Sequence, residues 1–339
     1  MKDLVAFRQL LEAPKRVAII MHDRPDADAL GASLGLATFL KKHRHQVSVI
    51  APTPYPTFLN WMPGSLEVLL ASQQQHAQAT TACLQAADVI CCVDFSALHR
   101  VHALSSSVRN ATATKVVIDH HQDPEDFADL YLWDNQAAAT AEIVYQIIKH
   151  FGEAAHIEPA QAECLYAGIL TDTGSFKHAN TTATSHLITA ELIRQGADVV
   201  KVGKLIYDNN SLNRLKFLGF AISERLVVLE AYNAAYFAIS KEDFQKFDLK
   251  TGDTEGLVNH ALSLKGIVLA ALFKENPEAV RISLRSSGNV PVDQWAKKHF
   301  GGGGHKNAAG GISTSGLAAT ITKFETVVKE YQSTLTTTP

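Results

Sequence analysis

Residues 16–31, RVAIIM followed by HDRPDADALG, set an apolar run directly against a histidine and three aspartates. RVAIIM is short and nearly continuous in aliphatic residues, as a strand buried on both faces requires. His22, Asp26 and Asp28 follow it, with Pro25 stiffening the path between them, and ALGASLGLATFLKKH (29–43) then has helical spacing. The same grammar repeats downstream. VSVIAP (47–52), DVICCVDF (88–95) and KVVIDHH (115–121) are further strand candidates. The pattern therefore predicts an α/β domain built on a mostly parallel sheet with helices on both faces. ATAEIVYQIIKHFG (139–152), PAQAECLYAGILTDT (159–173) and TTATSHLITAELIRQGA (181–197) read as helices, with Gly152 and Gly196 at helix-ending positions.

The polar groups accumulate where the apolar runs stop. His22, Asp26 and Asp28 follow the first run, Asp94 ends the third, and Asp119, His120 and His121 end the fourth. In an open α/β sheet the carboxyl ends of the strands face the ligand crevice, so these groups are candidates for one site. Asp172, in GILTDTGSF, can join them. Each alone has a plain structural reading: HDRPDAD as a capping turn, Asp94 as a cap, Asp172 as a helix terminator. Their joint placement favours chemistry. Hard carboxylate oxygens with a minority of imidazoles suit Mn²⁺, Mg²⁺ or another divalent ion. A metal pair about 3.5 to 4 Å apart, with one bridging carboxylate, would relieve the repulsion among four crowded aspartates.

The 339 residues, 46% of them hydrophobic, are enough for about two domains. A formal net charge of −3 argues against a duplex nucleic acid as the main partner, while leaving room for a short oligonucleotide in a local pocket. Cys83, Cys91, Cys92 and Cys164 show neither paired-ligand spacing nor a disulfide pattern; the adjacent Cys91 and Cys92, in a strand-like apolar segment, read as buried thiols. The start, MKDLVAFRQLLEAPKR, reads as an amphipathic helix rather than a signal peptide. No apolar run approaches the roughly 20 residues of a membrane span, so a cytoplasmic protein is expected.

A boundary is expected after Gly196. The expected divisions are 1–196, a helical connector over 197–222, and a smaller α/β domain over 223–339. In that second domain, 225–240 predicts a hairpin, 255–275 a helix leading into a strand, and VRISLRSS (280–287) an alternating strand. Residues 292–313, containing FGGGGHKNAAGG, predict helix, glycine turn and strand; a helix covers 319–335, and the closing STLTTTP is expected to fray. Gly303 and Gly304 let amide groups approach an anion, and His305 follows as a donor. Arg285 offers a planar donor fork for phosphate, and Asn259 an amide for base, sugar or phosphate. His99, His102, His178, His186 and His299 read as ordinary polar residues.

HDRPDADALG, VDFS, DHH and LTDTGSF, in that order, followed by RSS and FGGGGHKNAAG, resemble the motifs of the DHH phosphoesterase family. The closest likeness is to its two-domain group that degrades short RNA and dephosphorylates 3′-phosphoadenosine 5′-phosphate. The likeness runs from about residue 15 to about residue 330. It implies a catalytic DHH domain, a DHH-associated substrate-binding domain and an active-site cleft between them. It implies His22 and Asp26 on one Mn²⁺, Asp28, His120 and Asp172 on the other, and Asp94 bridging, with Mg²⁺ or Co²⁺ as alternative ions. His121 would lie beside the metals and Asp119 would orient the DHH segment. Arg285, Ser286, His305 and the amides of Gly303 and Gly304 would grip the substrate, with Asn259 assisting. In one position the chain departs from the family: Ala27 stands where glycine is common, which removes access to positive backbone angles there.

The expected activity is hydrolysis of RNA oligonucleotides of about two to five residues to nucleoside 5′-monophosphates, and of 3′-phosphoadenosine 5′-phosphate to AMP, by metal-activated water. The expected partners are those single-stranded oligomers and that nucleotide, with no membrane and no duplex, and with a homodimer as a possible assembly. The competing readings are a cyclic or linear dinucleotide phosphodiesterase, a single-strand exonuclease of the RecJ kind, an inorganic pyrophosphatase, and a nucleotide-binding module without catalysis.

Overall fold

Six strands, all parallel, form the sheet of the first half of the chain: β1 (Arg16–Met21), β2 (Gln46–Ala51), β3 (Leu69–Leu70), β4 (Val89–Val93), β5 (Thr114–Asp119) and β6 (Leu130–Trp133). In this computed structural model, residues 3–208, 210–250 and 252–336 are described. The chain falls into two compact units, Met1–Asn209 and Asn210–Pro339. The helices of the first unit are α1 (Leu4–Leu10), α2 (Ala27–Lys42), α3 (Gln74–Ala86), α4 (Ser105–Asn110), α5 (Thr140–His150), α6 (Pro159–Asp172), α7 (Ala183–Arg194) and α8 (Val199–Tyr207).

Strand order is β3-β2-β1-β4-β5-β6. The chain winds outward from β1 on one side and returns to β4 on the other, so the order reverses between these two neighbours. A crevice opens there at the carboxyl ends of the strands. The continuous apolar runs have the reason expected of them. Val17, Ile19 and Met21 pack on one face with α2, α5 and α6, while Ala18 and Ile20 pack on the other with Leu84, Leu98 and Val101. Cys91 and Cys92 are buried as expected, Cys164 is buried too, and burial pushes the Cys91 and Cys164 thiols up to about 12. The amphipathic start is α1, which buries Phe7.

The second unit holds β7 (Leu226–Leu229), β8 (Ala234–Ile239), β9 (Leu269–Glu275), β10 (Val280–Ser286), β11 (Gly303–His305) and β12 (Ala308–Ser313). Its helices are α9 (Leu212–Glu224), α10 (Lys241–Lys246), α11 (Leu257–Leu262), α12 (Val292–His299), α13 (Leu317–Glu330) and α14 (Gln332–Thr336). The order is β11-β12-β10-β9-β8-β7, antiparallel except for the parallel pair β8 and β9. Alternation along the strands sorts two cores: Tyr236, Phe273 and Ile282 face Trp295 and Phe324, whereas Phe237, Ala270 and Leu272 face Phe217 and Val258.

Two expectations are corrected. The second half of the glycine run is not a turn: Gly303 and Gly304 open an edge strand, β11, paired antiparallel with β12. Just before it, close backbone approach requires glycine, since a Cβ at Gly302 would lie 1.8 Å from the Gly310 carbonyl oxygen. The tail does not fray from Ser333, because α14 continues to Thr336 and buries Leu335 fully; residues 337–339 lie outside the described residues. Among the described residues no helix is long and apolar enough to cross a membrane.

Helix α2 lies close against α6 through small residues. A Cβ on Gly31 would stand 2.3 Å from the carbonyl oxygen of Cys164, so the two backbones nearly touch there. Gly203, inside α8, has open space around it. Gly31→Ala is therefore expected to destabilise the protein by about 1–3 kcal/mol through overpacking. Gly203→Ala is expected to stabilise it by about 0.5–1 kcal/mol through helix propensity. Urea denaturation of the two variants reads both signs.

Candidate metal centre

The site is built at the carboxyl ends of β1, β4 and β5, where the strand order reverses. After β1 the chain turns at His22 and enters α2, whose N-cap is Asp26. One oxygen of Asp26, Oδ1, accepts the Asp28 and Ala29 amide protons at 3.0 Å each. The other, Oδ2, lies 3.8 Å from His22 Nε2. The capping reading is thus met by one oxygen of this carboxylate, and the other is left facing His22. Ala27 is the first helical residue and is absent from the residues with positive φ, so this loop does not need the glycine common in the family.

Asp28 is fully buried and reaches across to the start of α5. Its Oδ2 accepts the Thr140 amide proton at 2.7 Å and its Oδ1 that of Ala141 at 2.9 Å. Helix α5 has no side-chain cap of its own, and Asp28 provides one from a distant part of the chain. The Thr140 hydroxyl meanwhile donates to Asp94 Oδ1 at 2.8 Å. Asp94, just beyond β4, is held at a φ of 63°, a left-handed value that few non-glycine residues adopt; its amide donates to the Ile118 carbonyl at 3.0 Å.

The two histidines follow one pattern. His22 Nδ1 sits 2.8 Å from the Asp23 carbonyl and His120 Nδ1 3.2 Å from the Ala137 carbonyl. A carbonyl only accepts, so Nδ1 carries the proton in each ring and Nε2 is the basic atom. Nε2 of His22 lies 3.3 Å from Asp94 Oδ2; that of His120 lies 3.6 Å from Asp94 Oδ1 and 3.3 Å from Asp172 Oδ2. The ligand atoms of His22, Asp26 and Asp94 lie within 4.8 Å of one another, and so do those of Asp28, Asp94 and His120. Asp94 is common to both sets. Nitrogen and oxygen acceptors facing each other at these separations need positive charge between them, and this donor set fits divalent cations.

The electrostatics express the same crowding. Burial raises Asp28 well above the usual carboxylate range, and the charges of Asp94 and Asp26 add to it. Asp172 is pushed well up by burial and by Asp28, Asp26 and Asp94. Burial also works against Asp94, but His22, His121 and His120 together hold its carboxyl below the ordinary value. Burial keeps His120 below the usual imidazole value.

Residues 16–169 match the model of the DHH family N-terminal domain, and residues 231–336 match the DHHA1 domain. The chain belongs to the DHH family of metal-dependent phosphoesterases. It is 28% identical to the bifunctional oligoribonuclease and PAP phosphatase NrnA of Bacillus subtilis, over 92% of this chain and 94% of that one. It is 27% identical to the cyclic-di-AMP phosphodiesterase GdpP of Geobacillus thermodenitrificans, matching 96% of this chain but 49% of that protein. Among solved structures it resembles an exopolyphosphatase-related protein from Bacteroides fragilis, at a TM-score of 0.93 and 36% identity, with 98% of this chain and 97% of that one covered.

The fold thus brings His22, Asp26, Asp28, Asp94, His120, His121 and Asp172 together within the first DHH unit. His121 Nδ1 is 2.7 Å from Oδ1 of the fully buried Asp119, and Trp133 Nε1 donates to the His121 carbonyl at 2.6 Å. The other candidates lie in the second unit. Arg285 is half-buried on β10, its Nη1 donating to the Leu284 carbonyl at 3.0 Å. Ser286 is buried, its hydroxyl donating to the Val290 carbonyl at 2.7 Å and accepting from Asn307 Nδ2 at 2.9 Å. Gly303, Gly304 and His305 form β11, and Asn259 is exposed on α11.

Thr140 and Asn180, which the sequence reading did not single out, and His178, which it took as an ordinary polar residue, also lie against the centre. Thr140 ties Asp28 to Asp94. Asn180 Nδ2 donates to the carbonyls of Asp172 at 3.2 Å and Ala138 at 3.1 Å, and His178 Nδ1 lies 3.3 Å from the Asp172 carbonyl. Only their placement beside α5 and α6 reveals them. Thr140→Val keeps the shape and the amide but removes the hydroxyl. It is expected to cost about 1–2 kcal/mol in urea unfolding and roughly tenfold in turnover, while Thr140→Ser retains most of both.

Proposed function

We propose that this protein hydrolyses RNA oligonucleotides of about two to five residues to nucleoside 5′-monophosphates and removes the 3′-phosphate of 3′-phosphoadenosine 5′-phosphate, using two divalent cations, Mn²⁺ in the first instance. The observation that carries the reading is the division of Asp94 between two acceptor sets, Oδ2 toward His22 and Oδ1 toward His120. The names of NrnA relatives matched along nearly their whole length support the substrate class. Both substrates present the same bond. Water adds to phosphorus, the P–O3′ bond breaks, and the 3′-oxygen leaves with a proton; the phosphate stays on the next nucleotide or departs free.

His22 and Asp26 would hold one cation, Asp28, His120 and Asp172 the other, and Asp94, facing both sets, would serve the two. When bound, such a pair supplies positive charge against the phosphate oxygens and makes water acidic enough to attack near neutral pH. Asp28 and Asp94 are fixed for this by α5 and Thr140. His121, its Nδ1 committed to Asp119, acts through Nε2 on a phosphate oxygen. Arg285, Ser286, Asn259, His305 and the amides of Gly303 and Gly304 are assigned to the nucleotide, Ser286 through its place beside Asn307 rather than through a spare hydroxyl.

The deciding experiment is a product-resolved assay of the metal-loaded protein on RNA of increasing length, 3′-phosphoadenosine 5′-phosphate, cyclic dinucleotides and polyphosphate. Mononucleotide release from the short RNAs and AMP from the bisphosphate are expected. Binding of those RNAs without product would replace this reading by that of a nucleotide-binding module. Asp94→Asn is expected to lower turnover about 10³-fold or more, and near-normal turnover would remove its bridging role.

Metal removal has a pH signature. Asp28 and Asp172 have raised pKa values in the metal-free fold, so that fold binds protons the unfolded chain has released, and it loses stability as pH rises through those values. Cations displace the same protons and bind more tightly as pH rises. The melting-temperature gap between Mn²⁺-loaded and chelator-treated protein is expected to widen from about pH 5 to about pH 8.

A further inference from the structure

A 3-10 segment, Leu98–Leu104, follows Asp94 and carries Arg100. Leu98 and Val101, on either side, are buried in the sheet's second core, and Glu125 Oε2 accepts the Leu98 amide proton at 2.8 Å. Arg100 N donates to the Ala97 carbonyl at 3.1 Å, and its own carbonyl accepts the Asp23 amide proton at 2.7 Å. The backbone of Arg100 is thereby fastened both to the core and to the loop that holds His22 and Asp26.

Two arginines and a histidine stand in this corner, and Arg24 and His102 are engaged. Arg24 Nε lies 3.7 Å and His102 Nε2 3.4 Å from Asp23 Oδ2, while the Thr53 hydroxyl donates to Asp23 Oδ1 at 2.8 Å. Asp23 is thus shared among its own neighbours. Arg100 differs. It is half-buried, its charge reaches both His22 and Asp172, and among the described residues its guanidinium makes no hydrogen bond or ion pair. His22 belongs to one acceptor set, and Asp172 faces His120 of the other at 3.3 Å, so the guanidinium's charge acts on both sides of the centre. A counter-charge present only to relieve the carboxylates would sit on one of them, because contact multiplies the gain. A planar fork of N–H donors whose backbone is tied to the acid-bearing loop, yet which is joined to none of the acids, is arranged for an anion brought from outside.

We propose that Arg100 is a substrate-binding residue whose guanidinium takes the nonbridging oxygens of a phosphate ester presented to the His22–Asp172 centre. The assignment rests on the phosphoesterase reading above and names the phosphate ligand within it. The match is one of geometry: two parallel N–H donors span two oxygens of one phosphate, which a lysine ammonium does not reproduce.

The test compares wild-type, Arg100→Lys and Arg100→Ala proteins loaded with Mn²⁺. Metal content is measured by mass spectrometry, melting temperature by calorimetry, inorganic phosphate affinity by titration calorimetry, and kcat and KM on a dinucleotide. Arg100→Ala is expected to keep its metal content and melting temperature, to lose about 100-fold in kcat/KM, and to bind inorganic phosphate about tenfold more weakly. Arg100→Lys is expected to recover only part of both losses. Unchanged kcat/KM and phosphate affinity in Arg100→Ala would overturn the proposal. So would a fall in metal content or melting temperature that accounts for the lost activity. If wild-type protein cleaves no phosphate ester yet loses phosphate affinity on Arg100→Ala, the phosphate site stands and the proposed reaction is what fails.

Discussion

A carboxylate buried in the first turn of a helix must be solvated by something other than water, and Asp28 is solvated by a second helix. Its two oxygens take the first two amide protons of α5 at 2.7 and 2.9 Å. The helix would otherwise begin without a side-chain cap. Each partner answers a deficit in the other: orphan donors at a helix start and a charge excluded from water. These bonds do not neutralise the site, since burial and neighbouring acids still hold Asp28 well above the usual carboxylate range. The chain has met the hydrogen-bonding requirement of this carboxylate and left its electrostatic requirement to a ligand.

Thr140 extends this arrangement to the second carboxylate. Its amide binds Asp28 and its hydroxyl binds Asp94, so one residue sets the separation of an acid in the first turn of α2 from one just beyond β4. Asp94 is further constrained by its left-handed backbone at φ 63°. Strain of this kind persists only where the surroundings over-determine it, and here the Ile118 carbonyl and the Thr140 hydroxyl do so. The outcome is an aspartate whose oxygens look in two directions, which a relaxed helical or strand residue at the same point would not give.

The parallel sheet was legible because its central strands are buried on both faces and so are written as unbroken apolar runs. β3 and β6 were not, because an edge strand of two residues and one of four, partly exposed, carry too little pattern. The acids that converge were legible from their position after apolar runs, since strand ends in such a sheet share one side. Thr140, Asn180 and His178 were not legible, because their contacts depend on where α5 and α6 come to rest. The glycine run misled in the other direction. Glycines are read locally as a turn, but Gly302 and Gly304 are required by the neighbouring strand, whose carbonyl oxygens would lie 1.8 and 2.5 Å from a Cβ at these positions.

The same constraint of close approach links packing to chemistry in the first unit. A Cβ at Gly168, on α6, would stand 2.4 Å from Asp28 Oδ1 and 2.9 Å from the Cβ of Ala141. The absent side chain is what lets α6 press against both the carboxylate and the helix it caps. Asp172 is the last residue of that same α6, so the depth at which α6 packs also fixes how near its carboxylate comes to His120. Gly31 makes the equivalent contact from α2, the helix that begins with Asp26 and Asp28. The distances among the candidate ligands are therefore set in part by helix–helix contact about one turn along the helices that bear Asp28 and Asp172. Small residues at 31 and 168 belong to the site as much as the acids do, although neither has a side chain to offer it.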